Sequence, residues 1–287
     1  MVQATLAASL HTLLGQSADC RSGRPTPTLP GLMSLLRTCA VLLVVLATGC
    51  AHSPQPHARA LAHNDLCAEQ LTRGELVEAE ANCDLGLEYA PRYGNLWVNK
   101  GLIALRDGRK ADAKAHFIKA IRYNQEQLQA YQNLGTLYFE EGDFEKAADS
   151  FARALKVDPA FNEARFNLGL AYLRLGAEDA EYRVRARSEF HKMLAVNPQV
   201  ADAHHALGEL AYLERDLPAA AAAFEKAVQL APAHAVAWHD LGVVLMELER
   251  PGEAAEAFAT CVAHEAQSAR CASGLEAARS RTASAAE

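Results

Sequence analysis

The chain has 287 residues, of which 50% are hydrophobic, 22% charged and 7% aromatic, and a formal net charge of −7. Residues 1–49 hold three basic groups and one acidic, so the rest carries −9 without a basic stripe, which argues against nucleic acid and anionic lipid headgroups as ligands. A protein partner is the expected ligand, with no small-molecule substrate.

Residues 1–49 read as a leader. Arg37 precedes the apolar run Cys39 to Ala47, which is too short to span a bilayer as a helix and leads through Leu46, Ala47, Thr48 and Gly49 to Cys50. Small residues after an apolar run mark a secretory cleavage site. Residues 1–32 contain Ser, Thr and Pro and fit no signal, whereas Met33 begins a leader of ordinary length, so translation is expected to start there. Residues 50–59 then form a short linker.

From residue 60 a unit of 34 residues repeats. Trp97, Gly101, Gly108, Ala113, Phe117 and Ala120 recur 34 places later as Tyr131, Gly135, Gly142, Ala147, Phe151 and Ala154. Such self-similarity marks a helix-turn-helix solenoid, whose units bury a continuous core only by stacking, and makes binding the default expectation. The first unit, 60–93, carries Leu66, Gly74, Ala79 and Pro91, and units 94–127 and 128–161 follow without slippage. The fourth, 162–200, keeps Leu168, Gly169, Tyr172 and Gly176 but brings Ala186, Phe190 and Pro198 five residues late, so an insertion after Gly176 falls between its two helices. Units 201–234 and 235–268 restore the period through Leu207, Gly208, Phe224 and Pro232, then Trp238, Leu241, Gly242 and Phe258. Residues 269–281 start a seventh first helix through Ala272, Leu275 and Ala278 and supply no second, as expected of a capping helix. Residues 282–287 read as a disordered tail. The expected fold is all-α: six helix pairs and a cap.

Chemistry-bearing residues follow the same map. Of seven cysteines, Cys20 and Cys39 lie in the leader, and four lie in the body. Cys67 and Cys83 fall on the two helices of the first unit, Cys261 ends the sixth, and Cys271 opens the cap. An even number of body cysteines in an exported protein reads as a disulfide framework, each bridge contributing about 3 kcal/mol or less. The alternative is four small buried hydrophobes. Eleven histidines are scattered, and His204 with His205, or His264 with Glu265, lack the paired spacing on one helix face that zinc hydrolysis needs. They read as solvated, with no metal and no cofactor. No glycine-rich phosphate loop and no nucleophile elbow is present, so an enzyme is not expected.

The aromatic, Leu-Gly, Tyr, Ala, Phe, Ala and Pro positions over residues 60–281 resemble the tetratricopeptide repeat. The resemblance implies a right-handed α-solenoid of six repeats plus a C-terminal capping helix. It also implies a concave groove lined by residues two, five, nine and twelve places into each unit. Here these include Leu61, Asn64 and Leu71 in the first unit and Val98, Leu102 and Leu105 in the second. Gln132 and Phe139 follow in the third, then Phe166, Leu170 and Leu173 in the fourth. The groove is expected to be exposed and apolar on this N-terminal side, which is the expected partner surface. It turns polar at Asp202, His205, Glu209, His239 and Glu247. The Lys and Asn clamp by which some family members hold a peptide's terminal carboxylate is absent, since Val98, Gln132 and Leu102 occupy its places.

The segment around Cys50 resembles the bacterial lipoprotein signal, in which that cysteine is lipidated and becomes the mature N-terminus, although Leu46 lies one place further away than is usual. Ala51 lacks the aspartate that retains many lipoproteins on the inner membrane, which implies outer-membrane sorting facing the periplasm. A lipid-anchored solenoid of six repeats is similar to the type IV pilus biogenesis lipoproteins of the PilF, PilW and Tgl type. That resemblance implies a secretin pilotin that supports twitching or social gliding motility. The alternative is a repeat scaffold for another envelope machine, such as a secretion-system pilotin, an outer-membrane assembly factor or a regulator of cell-wall enzymes.

Overall fold

The computed structural model of the protein describes residues 56–284, which form thirteen α-helices and, among the described residues, no strand. Six antiparallel pairs follow one another: α1 Ala58–Arg73 with α2 Leu76–Tyr89, α3 Gly94–Arg106 with α4 Lys110–Tyr123, and α5 Leu128–Glu140 with α6 Phe144–Val157. Next come α7 Asn162–Leu175 with α8 Ala180–Val196, α9 Ala201–Leu213 with α10 Leu217–Leu230, and α11 Ala235–Glu247 with α12 Pro251–His264. The cap is α13, Ala269–Ser284. It continues beyond residue 281, where a disordered tail was expected, because Thr282 and Ser284 hydroxyls donate to the carbonyls of Ala278 and Ser280 and keep the last turn closed.

One pairing rule builds each hairpin. In five consecutive pairs a glycine of the first helix lies under a phenylalanine ring of the second: Gly101 under Phe117, Gly135 under Phe151, Gly169 under Phe190, Gly208 under Phe224 and Gly242 under Phe258. A Cβ at any of these glycines would lie 2.4 to 2.8 Å from the ring, so only glycine permits the approach. All five rings are buried. Ala113, Ala147, Ala220 and Ala254, each 0% exposed, let the helix axes come close elsewhere in the pair.

The turn inside five of the six pairs uses a left-handed residue. Gly74, Gly108 and Gly142 supply it in the first three repeats, while Arg215 at φ 62° and Glu249 at φ 57° take the same place in the fifth and sixth at a steric cost. Asp143 and Asp216 then cap the second helices by accepting from the backbone N–H groups of Lys146 and Ala219.

Stacking has a sidedness that positions the binding surface. Second helices pack on the following first helix, and most first helices also touch the next first helix, but among the described residues no two second helices pack closely together. The first helices therefore line the inner face. The insertion of the fourth repeat goes mainly into α8, which has 17 residues against 14 in the other second helices. Asp179 caps the lengthened helix, and Tyr182 stacks on Tyr172 at 5.8 Å.

One half-buried histidine ties stability to pH. Burial, followed by the charges of Lys100 and Lys119, pushes the His116 imidazole below its ordinary value, and its Nδ1 is buried without a protein partner among the described residues. The unfolded chain takes up this proton near pH 6.5 and the folded chain only below that, so the stability is present above the unfolded value and lost as pH falls towards the folded one. His116→Leu is expected to flatten the acid limb of the stability curve below about pH 6.5. Urea unfolding across that range measures it, and an unchanged limb counts against the assignment.

Candidate binding groove

The expected apolar strip is only partly available. Leu61 is 38% exposed, and Leu102, Leu105, Phe139, Phe166 and Leu170 are half-buried on the inner helices. Asn64 accepts a hydrogen bond from Asn99 at 3.1 Å, joining α1 to α3. Leu71, Val98, Gln132 and Leu173, expected on the groove surface, are instead buried. Each is covered by neighbouring helices: Leu71 packs with Ile103, Val98 with Leu134 and Leu137, and Leu173 with Phe190 and Leu210. Gln132 donates to Glu163 at 3.0 Å across α5 and α7.

The inner face opens beside Gln132 and Glu163 and again towards the other end. A cavity of about 260 Å³ opens between α7, α9 and α11, with Leu173, Leu213, Phe224, Val243 and Val244 as its apolar floor. Arg174, Glu209, Tyr212 and Asp240 form its polar rim. Here α9 and α11 are not in close packing as most neighbouring first helices are. Polar side chains join them: His205 to Asp240 at 2.9 Å, and Tyr212 and Arg215 to Glu247.

That junction corrects the expectation of solvated histidines. His205 is only 13% exposed, with its ring 5.3 Å from Phe224 and 5.2 Å from His234. Asp240 is also bonded by His239 Nδ1 at 2.9 Å. Burial pushes the Asp240 carboxyl up, but the hydrogen bonds from His205 and His239 outweigh it and hold the group below its ordinary value. The signal in the sequence was the four-residue spacing of His205 and Glu209 on one helix, rather than any pair of histidines.

Both pairs of body cysteines are bonded. Cys67 joins Cys83 with Cα atoms 5.5 Å apart, and Cys261 joins Cys271 at 5.8 Å, distances ordinary for disulfides. Cys50 and the leader lie outside the described residues. Among the described residues no helix is long and apolar enough to cross a membrane.

No curated protein matches the chain. Family profiles described as tetratricopeptide repeat match residues 98–155, 185–235 and 211–278, and one described as TPR repeat matches 135–176, together more than half of the chain. Among solved structures, the chain is similar to PilF of Pseudomonas aeruginosa, with 18% identity and a TM-score of 0.60 over 75% of this chain and 96% of that one. It is similar to a tetratricopeptide repeat protein from Parabacteroides merdae, with 19% identity and a TM-score of 0.59 over 78% and 94%. It is also similar to YrrB, described as a TPR protein with an unusual peptide-binding site, with 18% identity and a TM-score of 0.54 over 68% and 97%.

Proposed function

We propose that this chain, which belongs to the tetratricopeptide-repeat family and is a protein-interaction scaffold, is a non-enzymatic outer-membrane lipoprotein that binds secretin subunits and promotes their assembly into the type IV pilus channel. The observation that carries the reading is a repeat solenoid similar to PilF along nearly all of that protein, in a sequence whose apolar run Cys39 to Ala47 is followed by Thr48, Gly49 and Cys50. Lipid on Cys50 anchors the N-terminal end, and the few residues between it and Ala58 keep α1 near the membrane facing the periplasm.

No covalent step is needed. A scaffold favours assembly by binding the assembly-competent form of a subunit more tightly than the free form. Leu102, Leu105, Phe139, Phe166 and Leu170, half-buried on α3, α5 and α7, offer apolar contact between polar neighbours.

Deleting the gene is expected to abolish heat-resistant secretin multimers and surface pili. Normal multimers in the deletion strain would overturn the reading in favour of a scaffold for another envelope machine. Leu102→Lys and Phe166→Lys are expected to weaken secretin binding by the purified protein at unchanged helix content. Cys50→Ala is expected to keep binding and lose membrane anchoring.

A further inference from the structure

The polar junction between the fifth and sixth repeats brings together a donor set for a metal ion. His205 and Glu209 lie four residues apart on α9, so their side chains leave one face of the helix. Asp240 reaches them from α11. A ring nitrogen of His205 and one carboxylate oxygen each of Glu209 and Asp240 lie within 4.8 Å of one another. One imidazole and two carboxylates suit a divalent transition ion, and a wholly oxygen-loving cation such as Mg²⁺ has no use for the imidazole. We propose that His205, Glu209 and Asp240 form a three-ligand zinc site at the rim of the groove cavity.

The surroundings support this. His239 Nδ1 bonds the second carboxylate oxygen of Asp240 at 2.9 Å, as partners of ligating carboxylates do. Phe224 and His234 flank the His205 ring and fix its plane. Glu209 and Asp240 face the cavity, so the ion keeps an open position there for water. Arg174 is 3.8 Å from Glu209 and about half exposed, so it can swing into solvent. When zinc enters, it replaces the proton shared by His205 Nε2 and Asp240 Oδ2, and that proton leaves to water. The ion then ties α9 to α11 where direct helix packing is weak, whichever partner the scaffold serves.

The purified full-length protein, stripped with EDTA, is expected to bind one Zn²⁺ per chain by calorimetry and to give a Co²⁺ absorption spectrum with nitrogen and oxygen ligation. Asp240→Asn and His205→Gln are each expected to weaken Zn²⁺ binding at least tenfold, and His239→Gln by about 10-fold. His191→Gln, exposed on α8, leaves binding unchanged. Circular dichroism checks that each variant keeps its helices. If Asp240→Asn does not fold, Glu209→Gln, which gives up only the loose contact with Arg174, serves in its place. No binding to the unaltered protein, or unaltered affinity in the ligand variants, overturns the proposal.

Discussion

Phe151→Ala is expected to cost about 3–5 kcal/mol and to split unfolding into two transitions. The ring is 1% exposed in the third hairpin, with Tyr131, Ala147, Ala164 and Leu168 in the same cluster. Its loss opens a cavity that the backbone cannot close, because α5 and α6 already approach as near as Gly135 allows. In a solenoid each repeat is held only by its neighbours, so a fault in the middle uncouples the repeats on either side. Two-probe denaturation with fluorescence of Trp97 and Trp238, one on each side of the fault, reads the split. A single transition with an unchanged midpoint would rule it out.

The same contact predicts a coupling. Gly135→Ala puts a Cβ 2.6 Å from the Phe151 ring. The smaller, more mobile Phe151→Leu relieves that clash, so the double variant is expected to be more stable than the sum of the two single losses by about 0.5–3 kcal/mol.

The fold was legible because its period is long and its small residues recur in register. Glycine and phenylalanine at fixed offsets specify the contact between paired helices, and that contact is the same in five repeats. The groove was less legible. A place in the repeat fixes the angle at which a side chain leaves its helix, but not how closely the next helix comes. Leu71, Val98 and Leu173 point inward as expected and are nevertheless covered by a neighbouring repeat. The pairing of His205 with Asp240 was missed for a related reason: the two lie 35 residues apart, one period plus one place, and meet only through stacking. The insertion, expected between the two helices, lengthens α8, since Ala180 to Val196 contains no helix breaker and Asp179 supplies a cap.

The disulfides give the other large expected effect, and register explains the first. Cys67 and Cys83 stand 34 places before Gly101 and Phe117, so the first repeat replaces the glycine–phenylalanine contact with a covalent bond. At the far end, Cys261 and Cys271 occupy the places of Ala227 and Ala237, where a second helix meets the next first helix. The bonds close sequence separations of 16 and 10 residues, so losing either is expected to cost about 3 kcal/mol or less. The loss is local: each end repeat has a neighbour on one side only, and fraying there leaves the middle intact. Cys67→Ser with Cys83→Ser is expected to speed amide exchange across α1 and α2 while α5 to α8 stay protected. Cys67→Gly with Cys83→Phe rebuilds the contact used by the following repeats and is expected to recover much of the loss without a covalent bond. Exchange equally fast in both double variants would show that the first repeat cannot accept the common contact.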